Sequence, residues 1–136
     1  MSLIKDIAQL MIVIDSEDRW DHVMHESLTR LVVIDMHQEW CGSVEAVRPS
    51  MSRLLLEYDA CEERFLYCTA SFGKVEAKIK QAVAAAGNGL DLKKNGCVPL
   101  FGIFKNQDCI SVISGVDSPT LLLHIAQNIP PKVVKE

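Results

Sequence analysis

One stretch limits what this chain can become: Leu31-Val32-Val33-Ile34-Asp35-Met36-His37-Gln38-Glu39-Trp40-Cys41-Gly42-Ser43-Val44. It opens as an unbroken apolar run rich in β-branched residues, the pattern of a fully buried strand. A short polar turn carrying Trp40, Cys41 and Gly42 follows. From Val44 the apolar residues return at helical spacing, as Val44, Val47, Met51, Leu54/Leu55 and Tyr58. The pattern therefore predicts a central strand running straight into a helix over 43–58 with Cys41 at its start. Unpaired backbone N–H groups and the positive end of the helix dipole meet there, and both favour a thiolate. Cys41 is thus a candidate nucleophile on local pattern alone.

The remaining pattern alternates strands and helices. Leu3, Ile4, Ile7 and Leu10/Met11 suggest a short opening helix, and Met11–Ile14 an apolar strand. Ser16 can cap a helix with an acidic first turn, Glu17 and Asp18, and an inner face of Trp20, Val23/Met24 and Ser27/Leu28. Pro49 removes one hydrogen bond from helix 43–58 and should bend it. Phe65–Thr69 reads as a buried strand. Val75, Ile79, Ala82/Val83 and Ala86 mark a helix that ends at Gly87-Asn88-Gly89 and gains the i,i+4 pair Glu76/Lys80. Strands 100–104 and 109–114 flank the turn 105–108 as a hairpin. Ser118-Pro119 opens a last helix, with Leu121, Leu122, Ile125 and Ile129 inward and Pro130-Pro131 as the stop. The expected architecture is α/β: a single domain over 1–136 with its core at 10–130, and a mixed sheet with helices on both faces.

Composition narrows the function. A 49% apolar content suffices for one ordinary core, and a net charge of −4 offers nothing to a phosphate backbone. Basic patches with interleaved aromatics are missing, so nucleic acid is not an expected partner. No apolar run approaches the ~18 residues of a membrane span, and the N-terminus alternates apolar and polar residues instead of forming a signal-peptide core. Cysteines at 41, 61, 68, 97 and 109 form an odd set without a C-x-x-C pair, which reads as reduced thiols in a cytoplasmic setting.

The turn Trp40-Cys41-Gly42 resembles the Trp-Cys-Gly-Pro-Cys active-site turn of thioredoxins and thioredoxin-like proteins. Asp35, six residues before Cys41, matches their buried acid, and Pro49, eight residues after it, their helix-kinking proline. Cys97-Val98-Pro99 with the strand and turn that follow resembles their cis-proline loop and final hairpin. The resemblance spans residues 10–130 and implies a thioredoxin fold, a cis Pro99, and a partner-facing surface of Trp40, Gly42, Ser43, Cys97, Val98 and Pro99. The departure is equally specific: Ser43 and Val44 stand where the family has proline and the second cysteine.

Dithiol turnover needs a second sulfur to displace the product from the mixed disulfide. With Val44 in that place, Cys41 retains monothiol chemistry only: a mixed disulfide, glutathione, or oxidation as a sensor. Cys97 is a possible resolving thiol if the two Cα atoms approach within ~7 Å. A reactive thiol that does not turn over, a working monothiol enzyme and an inert small hydrophobe all stay open for Cys41. Asp35 is either part of the proton chemistry or simply a buried acid. The long third helix, Phe104-Lys105-Asn106 with Asp108, and Gly115-Val116-Asp117-Ser118-Pro119 resemble the thioredoxin-type light chains of axonemal outer-arm dynein. That resemblance implies a protein-binding subunit of a larger assembly, with a dynein heavy chain as partner and a ciliary or flagellar axoneme as location. The alternative is a monothiol oxidoreductase or redox adaptor acting through Cys41.

Other motifs carry less. His22, His25 and Glu26 share a helix face without a second ligand pair, so no metal is expected, and no cofactor either. Gly87-x-Gly89 lacks the context of a dinucleotide loop and reads as a helix cap. Cys41-Gly42-Ser43 also resembles the turn of monothiol glutaredoxins, but that turn's Phe is missing and Trp40 points to thioredoxin. Cys61, Cys68 and Cys109 read as filler on a helix end and on strands.

Overall fold

The computed structural model describes residues 11–38, 48–58, 61–87, 98–115 and 117–131. The described elements are β1 (Ile12–Ile14), α1 (Glu17–Glu26), β2 (Leu31–His37), α2 (Arg48–Glu57), α3 (Cys61–Arg64), β3 (Phe65–Ser71), α4 (Phe72–Ala86), β4 (Leu100–Lys105), β5 (Asp108–Ser114) and α5 (Ser118–Asn128). The strands form one sheet in the order β1-β3-β2-β4-β5. β3 runs parallel to β1 and β2, whereas β4 is antiparallel to β2 and β5. This is the mixed sheet that the sequence predicts. The opening helix and the start of helix 43–58 lie outside the described residues.

Side-chain alternation divides the core between the two faces of the sheet. Val32, Ile34 and Met36 of β2 pack with Leu66 and Cys68 of β3, Trp20 and Val23 of α1, and Phe72, Val75 and Ile79 of α4. Leu31 and Val33, with Phe65, Tyr67, Phe101 and Ile103, meet Met51 and Leu54 of α2, Cys61 of α3, and Leu121 and Ile125 of α5. Both faces of β2 are filled, which is why its sequence shows no polar alternation. Trp20 meets Phe104 edge-on, with ring centroids 5.5 Å apart.

Ser16 caps α1 by accepting from the Arg19 N–H, and Asp117 caps α5 by accepting from the Thr120 N–H. Two expectations shift. Leu28 is 48% exposed because α1 ends at Glu26 and the chain turns away, while Ser27 is buried in its place. α4 begins at Phe72, three residues before the periodic run, because Val75 breaks the helix with φ −138° and ψ 37°. The periodicity registers only the part after that break. Gly87 ends α4 without a left-handed backbone (φ −85°); a Cβ there would stand 2.5 Å from the Val83 carbonyl oxygen. The short α3 carries no periodicity that a sequence could show.

The hairpin tip is tied to the end of α1. Asn106 (φ 53°) and Gln107 (φ 68°) make the turn between β4 and β5, a backbone whose hand matches strand twist. The Asn106 N–H donates to the Ser27 carbonyl at 2.9 Å, and the Gln107 N–H to Ser27 Oγ at 2.8 Å. The Ser27 hydroxyl in turn donates to the Met24 carbonyl. Ser27→Ala strands a partly buried N–H, so a loss of about 1–2 kcal/mol is expected. Urea denaturation checks it, and an unchanged midpoint would mean that the tip is held by packing.

Candidate functional site

Asp35 sits in the middle of the sheet, on β2 between β3 and β4, opposite Thr69 and Phe101. It is 1% exposed, so its carboxyl is withdrawn from water as the sequence reading requires. Strand alternation places His37 on the same face of β2 two residues later. His37 Nδ1 lies 3.7 Å from Asp35 Oδ1 and 3.2 Å from Thr69 Oγ1. A carboxyl, an imidazole and a hydroxyl therefore meet at the carboxyl end of the central strand, immediately before the Trp40-Cys41-Gly42 segment in sequence. His37 was not among the expected site residues. Its signal was legible: a polar residue at i+2 from a buried acid on one strand shares that acid's face.

Val98 and Pro99 lead into β4, the neighbour of β2, so the fold brings the second expected segment beside the strand that ends at His37. Val98 is 45% exposed. The Pro99 carbonyl accepts from the Gly115 N–H at 2.8 Å, extending the β4–β5 ladder by one pair. Among the described residues no peptide bond is cis, so the Val98–Pro99 bond is trans and the expectation of a cis Pro99 is corrected. The trans form is the intrinsically preferred one, by about 0.5–1 kcal/mol. Trp40, Cys41, Gly42, Ser43, Val44 and Cys97 lie outside the described residues.

The other cysteines behave as core. Cys61 and Cys68 are buried, and Cys109 is partly so. Burial pushes the Cys68 thiol far up, and it pushes Cys109 up to about 11 against the opposing hydrogen bonds to Ser111 and Ile103. Such thiols make poor nucleophiles at neutral pH. The sign of the linkage follows: a native thiol that ionises later than the unfolded one stabilises the fold below the unfolded value, and that contribution is lost as pH rises towards 11. The urea midpoint is therefore expected to fall between about pH 9 and 11, with a smaller fall in Cys109→Ala; an equal fall would assign the effect to other groups.

His22 sits 4.0 Å from Glu26 along α1, and Lys80 2.9 Å from Glu76 along α4, both as solvated i,i+4 pairs. Among the described residues no group of His, Cys, Asp or Glu is placed to hold a metal ion, and no helix is long and apolar enough to cross a membrane.

No family model matches the chain. It is 27% identical over 134 residues, 97% of its length, to Thioredoxin domain-containing protein 3 homolog of Heliocidaris crassispina. It is 30% identical over 113 residues, 82% of its length, to Thioredoxin domain-containing protein 3 of Homo sapiens. The chain spans only 14% and 16% of those two proteins. Among solved structures it is similar to the long form of spinach chloroplast thioredoxin f, with a TM-score of 0.63 at 20% identity, covering 89% of this chain and 88% of that one. It is also similar to thioredoxin NaTrxh from Nicotiana alata, with a TM-score of 0.62 at 15% identity, covering 89% and 94%. These structures share its fold. The sheet order, the buried Asp35 on the strand that neighbours β4, and these likenesses agree: this is a thioredoxin-like protein.

Proposed function

We propose that this protein works by holding a protein partner, as a subunit of a larger assembly, with Cys41 as a lone sensing thiol. The observation that carries the reading is Val44. On a thioredoxin fold the motif Trp40-Cys41-Gly42-Ser43-Val44 keeps the first cysteine and lacks the second. A Cys41 thiolate that attacks a disulfide forms one S–S bond and releases the other sulfur as a thiolate. Without a second thiol beside it, the mixed disulfide stays. Capture without release suits binding better than turnover. The similar proteins, named for a thioredoxin domain within a far longer chain, support a role beside other modules. The likeness of the hairpin and of Gly115-Val116-Asp117-Ser118-Pro119 to axonemal dynein light chains makes a dynein heavy chain the proposed partner and the cilium or flagellum the proposed place.

Gel filtration of native lysate from the source organism, with and without reductant, tests the reading. Migration with dynein heavy chains in both conditions is the expected result. A lone species near the chain's own 15.1 kDa in both conditions would overturn it. The second reading, a monothiol oxidoreductase or redox adaptor, is favoured by the buried Asp35 with His37 beside it. Its mark is a complex that dissolves only on adding reductant and that Cys41→Ser cannot form.

A further inference from the structure

The carboxyl-end rim of the sheet holds a cavity of about 340 Å3 beside the Asp35 cluster. Met11, Val13 and Ile14 give it an apolar wall, and His37 closes the end nearest β2. Asp15 and Lys74 stand on opposite elements at its margin, after β1 and in the first turn of α4. Among the described residues neither has an ion-pair partner, whereas Lys78 and Lys80 further along α4 pair with Asp21 and Glu76. An apolar hole between one unengaged cation and one unengaged anion matches a ligand that carries both charges around an apolar centre.

Among the described strands β1 lies at the edge of the sheet, and its Val13 is 58% exposed. An extended chain laid along that rim presents every second side chain to the cavity, about 7 Å apart. We propose that the cavity seats an aliphatic side chain of an extended segment of the protein partner. A basic residue two positions to one side of it faces Asp15, and an acidic residue two positions to the other side faces Lys74. This rests on the protein-binding reading above and gives it a specificity pocket. The pocket includes His37, the end of β2, and Ser71, its partner on β3.

The test uses two blocked peptides, acetyl-Lys-Gly-Leu-Gly-Glu-amide and its charge-reversed order, acetyl-Glu-Gly-Leu-Gly-Lys-amide. Each is titrated into the isotopically labelled chain and followed by backbone NMR shifts. One order is expected to give saturable shifts at Val13, His37 and Thr69 and to bind roughly tenfold tighter than the other, because reversal turns two exposed charge contacts from attraction to repulsion. Replacing the peptide's leucine by glycine should abolish the shifts. The double variant Asp15→Lys/Lys74→Glu, both at exposed positions, should invert the order preference. Shifts that do not saturate, or that ignore both peptide order and the charge swap, overturn the proposal. If neither peptide binds while the native chain still travels in its assembly, this pocket falls and the protein-binding reading stands. If the preference inverts as expected but the native chain runs alone, the pocket stands and that reading falls.

Discussion

Phe101→Ala is expected to lower the stability of the chain by about 3–5 kcal/mol, the cost of deleting a fully buried aromatic ring. Phe101 is 0% exposed on β4, among Leu121 and Ile125 of α5 and Met51 and Leu54 of α2, and it pairs across the ladders with Asp35 and Ile113. Its ring fills the space between the sheet and the helices on that face. Rigid neighbours on two strands leave little room for collapse, so the loss combines transfer energy with an unfilled cavity. For a chain of this length the midpoint of thermal unfolding should fall by roughly 10–20 °C. Leu123→Ala on the exposed side of α5 is the control, expected to stay within about 0.5 kcal/mol. A Phe101→Ala loss below about 1.5 kcal/mol would show that α5 settles onto the sheet, and that its packing is looser than the burial implies.

Val44→Cys is expected to convert the protein from a single-event thiol to a catalyst of disulfide reduction. The substitution places a second sulfur three residues after Cys41, the spacing that brings side chains together across one helical turn. The new thiolate can attack the Sγ of Cys41 in the mixed disulfide. That step forms the intramolecular disulfide and expels the substrate sulfur as a thiolate, and an added dithiol then reduces the chain for the next cycle. The measurement is disulfide reduction with excess substrate, first without reductant and then with excess dithiol. Without reductant the natural chain should stop at one mixed disulfide per molecule, whereas Val44→Cys should release both substrate thiols. With dithiol, Val44→Cys should cycle many times and outrun the natural chain, whose mixed disulfide only the dithiol can resolve. Val44→Ser should behave as the natural chain does, and Cys41→Ser should remove the reaction in either background. A silent Val44→Cys would separate this protein from thioredoxins in the geometry of its turn. The reading of Cys41 as an inert residue would then gain.

The interior of the sheet was the most legible part of the chain, for a physical reason. β2 and β3 are buried on both faces, so apolar runs such as Leu31–Ile34 carry the assignment without any partner being known. Caps are local as well: Ser16 and Asp117 bond to N–H groups three residues away. Asp35 was legible as buried because it interrupts such a run. That His37 shares the face of Asp35 follows from strand alternation, but its contact with Thr69, more than thirty residues distant, does not. The trans Val98–Pro99 bond follows the intrinsic preference of the peptide, and the exposure of Leu28 follows from where α1 ends.

By itself the sequence determined the order of the described strands and of their helices apart from the short α3, the buried acid at Asp35, and the missing second cysteine at Val44. Periodicity and residue chemistry act within a few positions, and those features need nothing longer. Only the tertiary structure decided which helices share a face, which strands lie side by side, and that Met11, Val13, His37 and Lys74 border one cavity. Parallel pairing joins residues tens of positions apart, and an edge cavity exists only where separate elements stop at the same rim. No local pattern encodes either.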